Sequence, residues 1–518
     1  MSTGRSRAAW VLVAVLLALL VLPTSVTGSG VALPHIARDT DASLASLQWV
    51  VHSYNLTFSS FMLACGSLAD VWGRRRLFAA GAVLFTASSA LSALVSDITV
   101  LNASRALAGI GAAALLTSGS AILSATFTGA ARTRAFAAVG IVTGAGLALG
   151  AMAAGVLADS LGWRSFFGLH AILMALVACA IPAMSGARPQ QGARVDWLGT
   201  VLFVTALFAL MMGVAEGPQW GWSSPAVVAL LIGSVVLFAA FGAVEKRVSA
   251  PMLDLALLRN ARFMGLCLVP VAATFAFVIL LPLLPNYLVV ADGISSQAAG
   301  TLMLLMTLPI LPTPMLAARL QRWGMSTRAV LGLSVLLLTA GVAWLALALH
   351  PGAGAADLAA PLIMLGVGLG LNFGLVDGAV LDVVEPQSVG TAAGFLNTLR
   401  LGSEAVAIAA AGAALVGLLT GRLADDGRTA ASAGEIANTA AAGEREGLAR
   451  LAPSGTGESF QQLVAQELTG AWQTVLLVSA ALCAVIGVAV WKLLAPRRQD
   501  SAEVPAEQTA RVKEAEHA

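Results

Sequence analysis

The residues able to do chemistry in this chain are few, and most stand where charge is costly. Arg105, Asp377, Arg400 and Glu404 interrupt long apolar runs, with His52 and His170 as titratable neutrals. A charge set in hydrocarbon is expensive, so each is a functional candidate by default. A desolvated carboxylate such as Asp377 can take up and release a proton. The alternative is that Asp377 lies close enough to Asp382 and Glu385 to reach water. Arg400 and Glu404 are four residues apart and share a helical face. They can therefore pair with each other, or serve in gating or coupling. Arg105 either lines a cavity or snorkels to an interface. The two histidines suit helix packing as well as function.

A second group lies between two apolar runs. Gly66–Arg76 reads G-S-L-A-D-V-W-G-R-R-R, which sets one acid, Asp70, a turn ahead of Arg74, Arg75 and Arg76. Gly66 and Gly73 supply the small residues that a tight connection needs. Other chemistries are missing from the pattern. There is no phosphate-binding loop for ATP and no nucleophile elbow. The cysteines (Cys65, Cys179, Cys267 and Cys483) are scattered, with no metal spacing.

The elements that must position these residues follow from composition. Of 518 residues, 58% are hydrophobic and 11% charged, with a mean hydropathy of +0.86. Soluble domains carry about 25% charged residues, so a water-soluble fold is excluded. Long apolar runs without alternation select helices over a barrel. The expected class is an all-α polytopic membrane protein. Windows long enough to cross a bilayer fall near 10–33, 46–69, 77–96, 99–123, 134–158, 164–184, 196–216, 225–245, 262–290, 297–318, 327–349, 358–381, 389–420 and 471–494. The first resembles a signal peptide but has no cleavage site, so it reads as an uncleaved span. With fourteen spans and the N-terminus inside, one set of connections collects Arg74–Arg76, Arg132, Arg134, Lys246, Arg247, Arg259, Arg262, Arg319, Arg322 and Arg328. The opposite connections keep only Arg38, Arg164 and the arginines of one long loop, 421–470. That asymmetry places both termini in the cytoplasm. A weaker copy of the Gly66–Arg76 pattern recurs at Met315–Arg328. Aligning Gly324 with Gly73 sets Gln321 where Asp70 stands. The repeat divides the chain into a six-helix half (1–185), two linking spans (186–260), a second six-helix half (261–494) and a disordered tail (495–518).

The spacing of Gly66, Asp70, Gly73 and Arg74 resembles the signature loop between the second and third helices of the major facilitator superfamily. Arg105 with its following R-A-L-A-G-I-G-A-A resembles that family's second signature. Span five, with Gly140, Gly144, Gly150 and Gly155, resembles its antiporter signature, except that Ala151 stands in place of a proline. Val31–Pro34, Gln48–Tyr54, Asp159–Phe167 and Glu216–Trp222 are similar to the fourteen-span drug:proton antiporters. That subgroup carries an acid in span one where this chain has Ser25. The resemblance implies two six-helix halves plus two linking helices, rocking about a midplane site in the inner or plasma membrane. It implies a gate latch at Asp70 and Arg74, helix-packing glycines in span five, and cavity-facing transport or proton-coupling roles for Arg105 and Asp377, while Arg400 and Glu404 stay coupling candidates on their own spacing. It further implies proton-coupled efflux of drugs, antibiotics or similar amphiphiles, with substrate, protons and lipid as partners. No cofactor, no metal, no nucleic acid and a monomeric state are expected. A metabolite uniporter or symporter of the same fold is the alternative, and a membrane-embedded enzyme or sensor a remote one.

Overall fold

The computed structural model describes residues 2–184, 195–248, 251–253, 255–385, 388–425, 430–452 and 457–495. Every regular element among them is helical. Lipid offers backbone groups no hydrogen-bond partner, and a helix satisfies them within the segment. The first group comprises α1 (Ser2–Thr40), α2 (Leu44–Trp72), α3 (Arg74–Leu94), α4 (Ile98–Thr126), α5 (Gly129–Leu161) and α6 (Arg164–Ala180). Next come α7 (Trp197–Trp220), α8 (Pro225–Glu245) and the short α9 (Leu255–Arg259). The second group contains α10 (Ala261–Ala273), α11 (Leu280–Ala291), α12 (Ser296–Thr307), α13 (Thr313–Arg322), α14 (Thr327–Ala348), α15 (Ala355–Asn372), α16 (Leu375–Asp382) and α17 (Val389–Asp425). It is completed by α18 (Ala430–Ala441), α19 (Arg445–Leu451) and α20 (Gly457–Leu493).

Among the described residues, twelve helical stretches are long and apolar enough to cross a membrane. In three of them the helix is broken inside the crossing. A π turn at Thr274–Val278 joins α10 to α11, a 3-10 turn at Leu308–Ile310 precedes α13, and Gly374 separates α15 from α16. Gly374 has φ +73°, and a Cβ there would lie 1.9 Å from the Phe136 carbonyl oxygen of α5. Only glycine fits so close an approach. Outside the twelve stand α6, at 17 residues, and α2, at 29. The polar residues Gln48, His52, Asn55 and Thr57 lower the hydropathy of α2. The helices are thus compatible with fourteen crossings.

In the first group α2 and α3 pack on α4, and α1 packs on α5; in the second, α14 packs on α15 and α20. The linking helices α7 and α8 pack on each other, and α7 lies against α2 and α17. One apolar core runs through both groups, from Phe78 and Phe85 of α3 to Val376 of α16 and Leu396 of α17. Ser459–Leu468 forms the opening of α20. Its apolar face, Phe460, Val464 and Leu468, is buried in the second group's core. Burying that face gains more than leaving it on a surface. The tail expected to be disordered, 495–518, lies outside the described residues beyond Ala495.

Candidate functional site

Asp70 ends α2 and faces the first turn of α17. Its Oδ1 accepts from the Gly390 amide at 2.9 Å, and its Oδ2 accepts from the Thr391 amide at 2.8 Å and from Thr391 Oγ1 at 3.2 Å. A carboxylate is unfavourable at the C-terminus of its own helix and favourable at the N-terminus of another. Asp70 is therefore an N-cap supplied by the opposite half. Arg74, one turn on, sits 3.7 Å from Oδ1 and also reaches the Ala121 carbonyl. Arg75 is half-buried and Arg76 exposed.

Glycine makes the approach possible. A Cβ on Gly66 would lie 2.3 Å from the Gly390 oxygen, and one on Gly390 would lie 2.4 Å from the Gly66 oxygen. A Cβ on Gly394 would lie 2.6 Å from the Met62 oxygen. Gly73 (φ +96°) caps α2 and turns the chain into α3. On α5, Gly140 touches Phe373 and Pro314, and Gly144 touches Ile310, all from the second group. Further along α5 the partners change. Gly150 meets Thr24 and Thr27 of α1, and Gly155 meets only Val31. The two groups thus close on each other at the arginine-rich end of α2 and α5.

Deeper in the molecule, Arg400 of α17 donates from Nη2 to both Asp377 oxygens, at 3.3 and 3.1 Å, and from Nη1 to Asn397 Oδ1 at 3.0 Å. The pairing expected between Arg400 and Glu404 is therefore corrected: the partner is Asp377, in the first turn of α16. Helical side chains lean toward the N-terminus, so Arg400 points away from Glu404 and toward Asn397. Arg before Glu is also the poorer order for an i, i+4 pair. Asp377 is 7% exposed, and this cross-helix pair holds it away from solvent. Glu404 has no ion-pair partner among the described residues.

Arg105 does not snorkel. It is 1% exposed and ties several helices together from within. Its Nε donates to the Val50 carbonyl at 3.1 Å, Nη1 to Ser25 Oγ at 2.9 Å and Nη2 to the Ser25 carbonyl at 3.3 Å. The guanidinium lies 4.4 Å from the Tyr54 ring centroid and 5.4 Å from that of Phe167. Carbonyl dipoles and ring faces carry this charge in place of a carboxylate. Ser25, where the resembling subgroup has an acid, is the residue that meets it. His170 is buried beside Phe166, and its Nε2 lies 2.9 Å from Thr24 Oγ1. His52 packs edge-on to Trp49.

Sequence reasoning passed over three features. Gly390 and Thr391 receive Asp70, but nothing in their immediate sequence marks them as its partners. Arg132 pairs with Asp382 at 2.6 Å across the two groups, although as a sequence feature it served only to orient the chain. Asp196 and Glu245 sit side by side in the linking helices. Among the described residues no cluster of three His, Cys, Asp or Glu side chains forms a metal site.

The family model of the Major Facilitator Superfamily matches residues 15–408. The chain belongs to this superfamily. Within the superfamily it is 30% identical over 400 residues to the multidrug resistance protein Stp of Mycobacterium tuberculosis (strain CDC 1551 / Oshkosh), covering 76% of this chain and 73% of that one. It is 32% identical over 430 residues to the puromycin resistance protein pur8 of Streptomyces alboniger, covering 82% and 85%. Among solved structures, the proton:xylose symporter XylE superposes with a TM-score of 0.61 at 13% identity, over 95% of this chain and 97% of that one. The last likeness speaks to the fold alone.

Proposed function

We propose that the chain is a secondary-active exporter that exchanges protons for drugs, antibiotics or similar amphiphiles, in two six-helix halves joined by α7 and α8. Relatives named for resistance to antibiotics support the export reading. The observation that carries the mechanism is the Asp70 cap on α17. It fastens one half to the other through hydrogen bonds that exist only while the arginine-rich end is closed. The distribution of arginines puts that end in the cytoplasm, so the conformation opens outward. Along α5, glycine contacts with the second half give way to contacts with α1 toward the far end, as such an opening requires.

Coupling then falls to the central charges. Glu404 is the carboxylate free to take a proton or meet a cation, and the Asp377–Arg400 pair is the neighbour that senses which of the two is bound. Arg105 holds α1, α2 and α4 in register and is a positioning residue. The test uses everted vesicles, acid inside, carrying a pH-sensitive dye. A transported cation added outside should alkalinise the lumen. In Glu404→Gln, proton movement should disappear while downhill substrate exchange persists. Proton movement that survives the substitution removes Glu404 from the coupling role. No proton movement with any amphiphile in the wild type would favour a uniporter.

A further inference from the structure

Away from the central charges, the linking helices bury two acids close together. Asp196 caps α7 and is 8% exposed; Glu245 ends α8 and is 4% exposed. Asp196 Oδ1 accepts from the Gly199 amide at 2.8 Å, and Glu245 Oε2 from the Leu253 amide at 3.4 Å. The other oxygen of each, Asp196 Oδ2 and Glu245 Oε1, is buried with no hydrogen-bond partner. Both crowd one point. A Cβ added to Gly199 would lie 2.3 Å from Asp196 Oδ2 and 2.9 Å from Glu245 Oε1.

Among the described residues no cation pairs with either. Lys246 and Arg247, next along the chain, are exposed. Met252 and Leu253 belong to an apolar cluster that also takes in Leu63 and Ala64 of α2 and Phe395 of α17. Glu245 also receives the Met252 amide; Arg194 and Asp254, adjacent in sequence, lie outside the described residues. Two carboxylates brought to one buried point repel, with little water to screen them. A metal ion needs a shell of several oxygen ligands, and no group of three or more candidate side chains exists among the described residues. A proton needs only the two oxygens.

We propose that Asp196 and Glu245 hold one proton between Oδ2 and Oε1, which makes the linking hairpin a proton-binding site separate from Asp377, Arg400 and Glu404. The proton comes from solvent at the arginine-rich end. One acid becomes a carboxyl that donates its O–H to the carboxylate of the other. While the proton is present the pair staples α7 to α8. When it leaves, two carboxylates face each other and the hairpin loosens. The contribution is therefore full at low pH and lost as pH rises.

The test compares purified wild-type protein with Glu245→Gln and Asp196→Asn, in which an amide N–H stands permanently where the shared proton was. Asparagine also keeps the helix cap. Raising the pH from mildly acidic to mildly alkaline should lower the wild-type Tm by roughly 2 °C or more and leave both variants unmoved by comparison. The carboxyl C=O band in infrared spectra should be weaker in each variant than in the wild type. Should one variant fail to fold, the other gives both readings. Equal pH slopes with an undiminished carboxyl band overturn the proposal. So does a sodium- or magnesium-dependent rise in wild-type Tm that is absent in Glu245→Gln, which would assign the site to a metal.

Discussion

Asp70 and Gln321 hold repeat-related places at the arginine-rich end, and the backbone treats them alike. Gly73 and Gly324, three residues on, have φ of +96° and +95°. The side chains behave differently. Asp70 crosses to the other half and caps α17. Gln321 donates to Thr327 Oγ1 at 3.0 Å and stays within its own half. Opposite Gln321, where a second latch would close on the start of α5, there is a cavity of about 220 Å³ bordered by Gly129, Arg132, Gln321, Thr327 and Asp382. Among the described residues the ion pair that joins the halves there is Arg132–Asp382, and the Asp382 side chain is 63% exposed. Hydrogen bonds to a charged group contribute about 1.5–3 kcal/mol each, whereas an exposed ion pair contributes about 0–1 kcal/mol. The turn has been kept and the fastener lost, so closure rests mainly on one side.

The sharpest way to break this comparison is Asp70→Asn. It removes the charge and places an N–H donor among amide donors, and efflux of a transported dye should fall about tenfold or more. Gly390→Ala should act in the same direction, because its Cβ would lie 2.4 Å from the Gly66 oxygen and 2.8 Å from Asp70 Oδ1. A several-fold loss is expected, with increased alkylation of cysteines introduced at the arginine-rich end of α2.

Gln321→Asp sharpens the comparison instead. A carboxylate facing the unsatisfied first turn of α5 should add a second latch and slow turnover by a few fold. Faster turnover would show that the cavity side does not govern closure. The smallest effect belongs to Asp382→Asn. Loss of this exposed pair should change efflux less than about threefold, and high salt should shrink the difference further.

What was legible in the sequence divides along physical lines. Apolar runs and arginine asymmetry report on the solvent each residue meets, so the helices and the latch turn could be read directly. Asp70 stood out because its glycines and arginines are local. Its receivers, Gly390 and Thr391, lie 320 residues away on α17 and are defined only by backbone amides, which every residue has. The Arg400 pairing failed for a similar reason. Spacing offered Glu404, but the competing acid, Asp377, comes from another helix. Arg105 was visible as a misplaced charge, yet its use of Ser25 and the Val50 carbonyl required the fold.

The most direct test of the latch is a distance measured across it. Spin labels would be placed at Arg76→Cys and Glu385→Cys in a Cys179→Ser background, since Cys65, Cys267 and Cys483 are buried. Pulsed dipolar spectroscopy would then compare this protein with the same protein carrying Asp70→Asn. The account predicts a short-distance population that dominates with Asp70 and gives way to longer distances without it. Identical distributions in the two proteins would contradict the claim that the Asp70 cap on α17 holds the arginine-rich end closed.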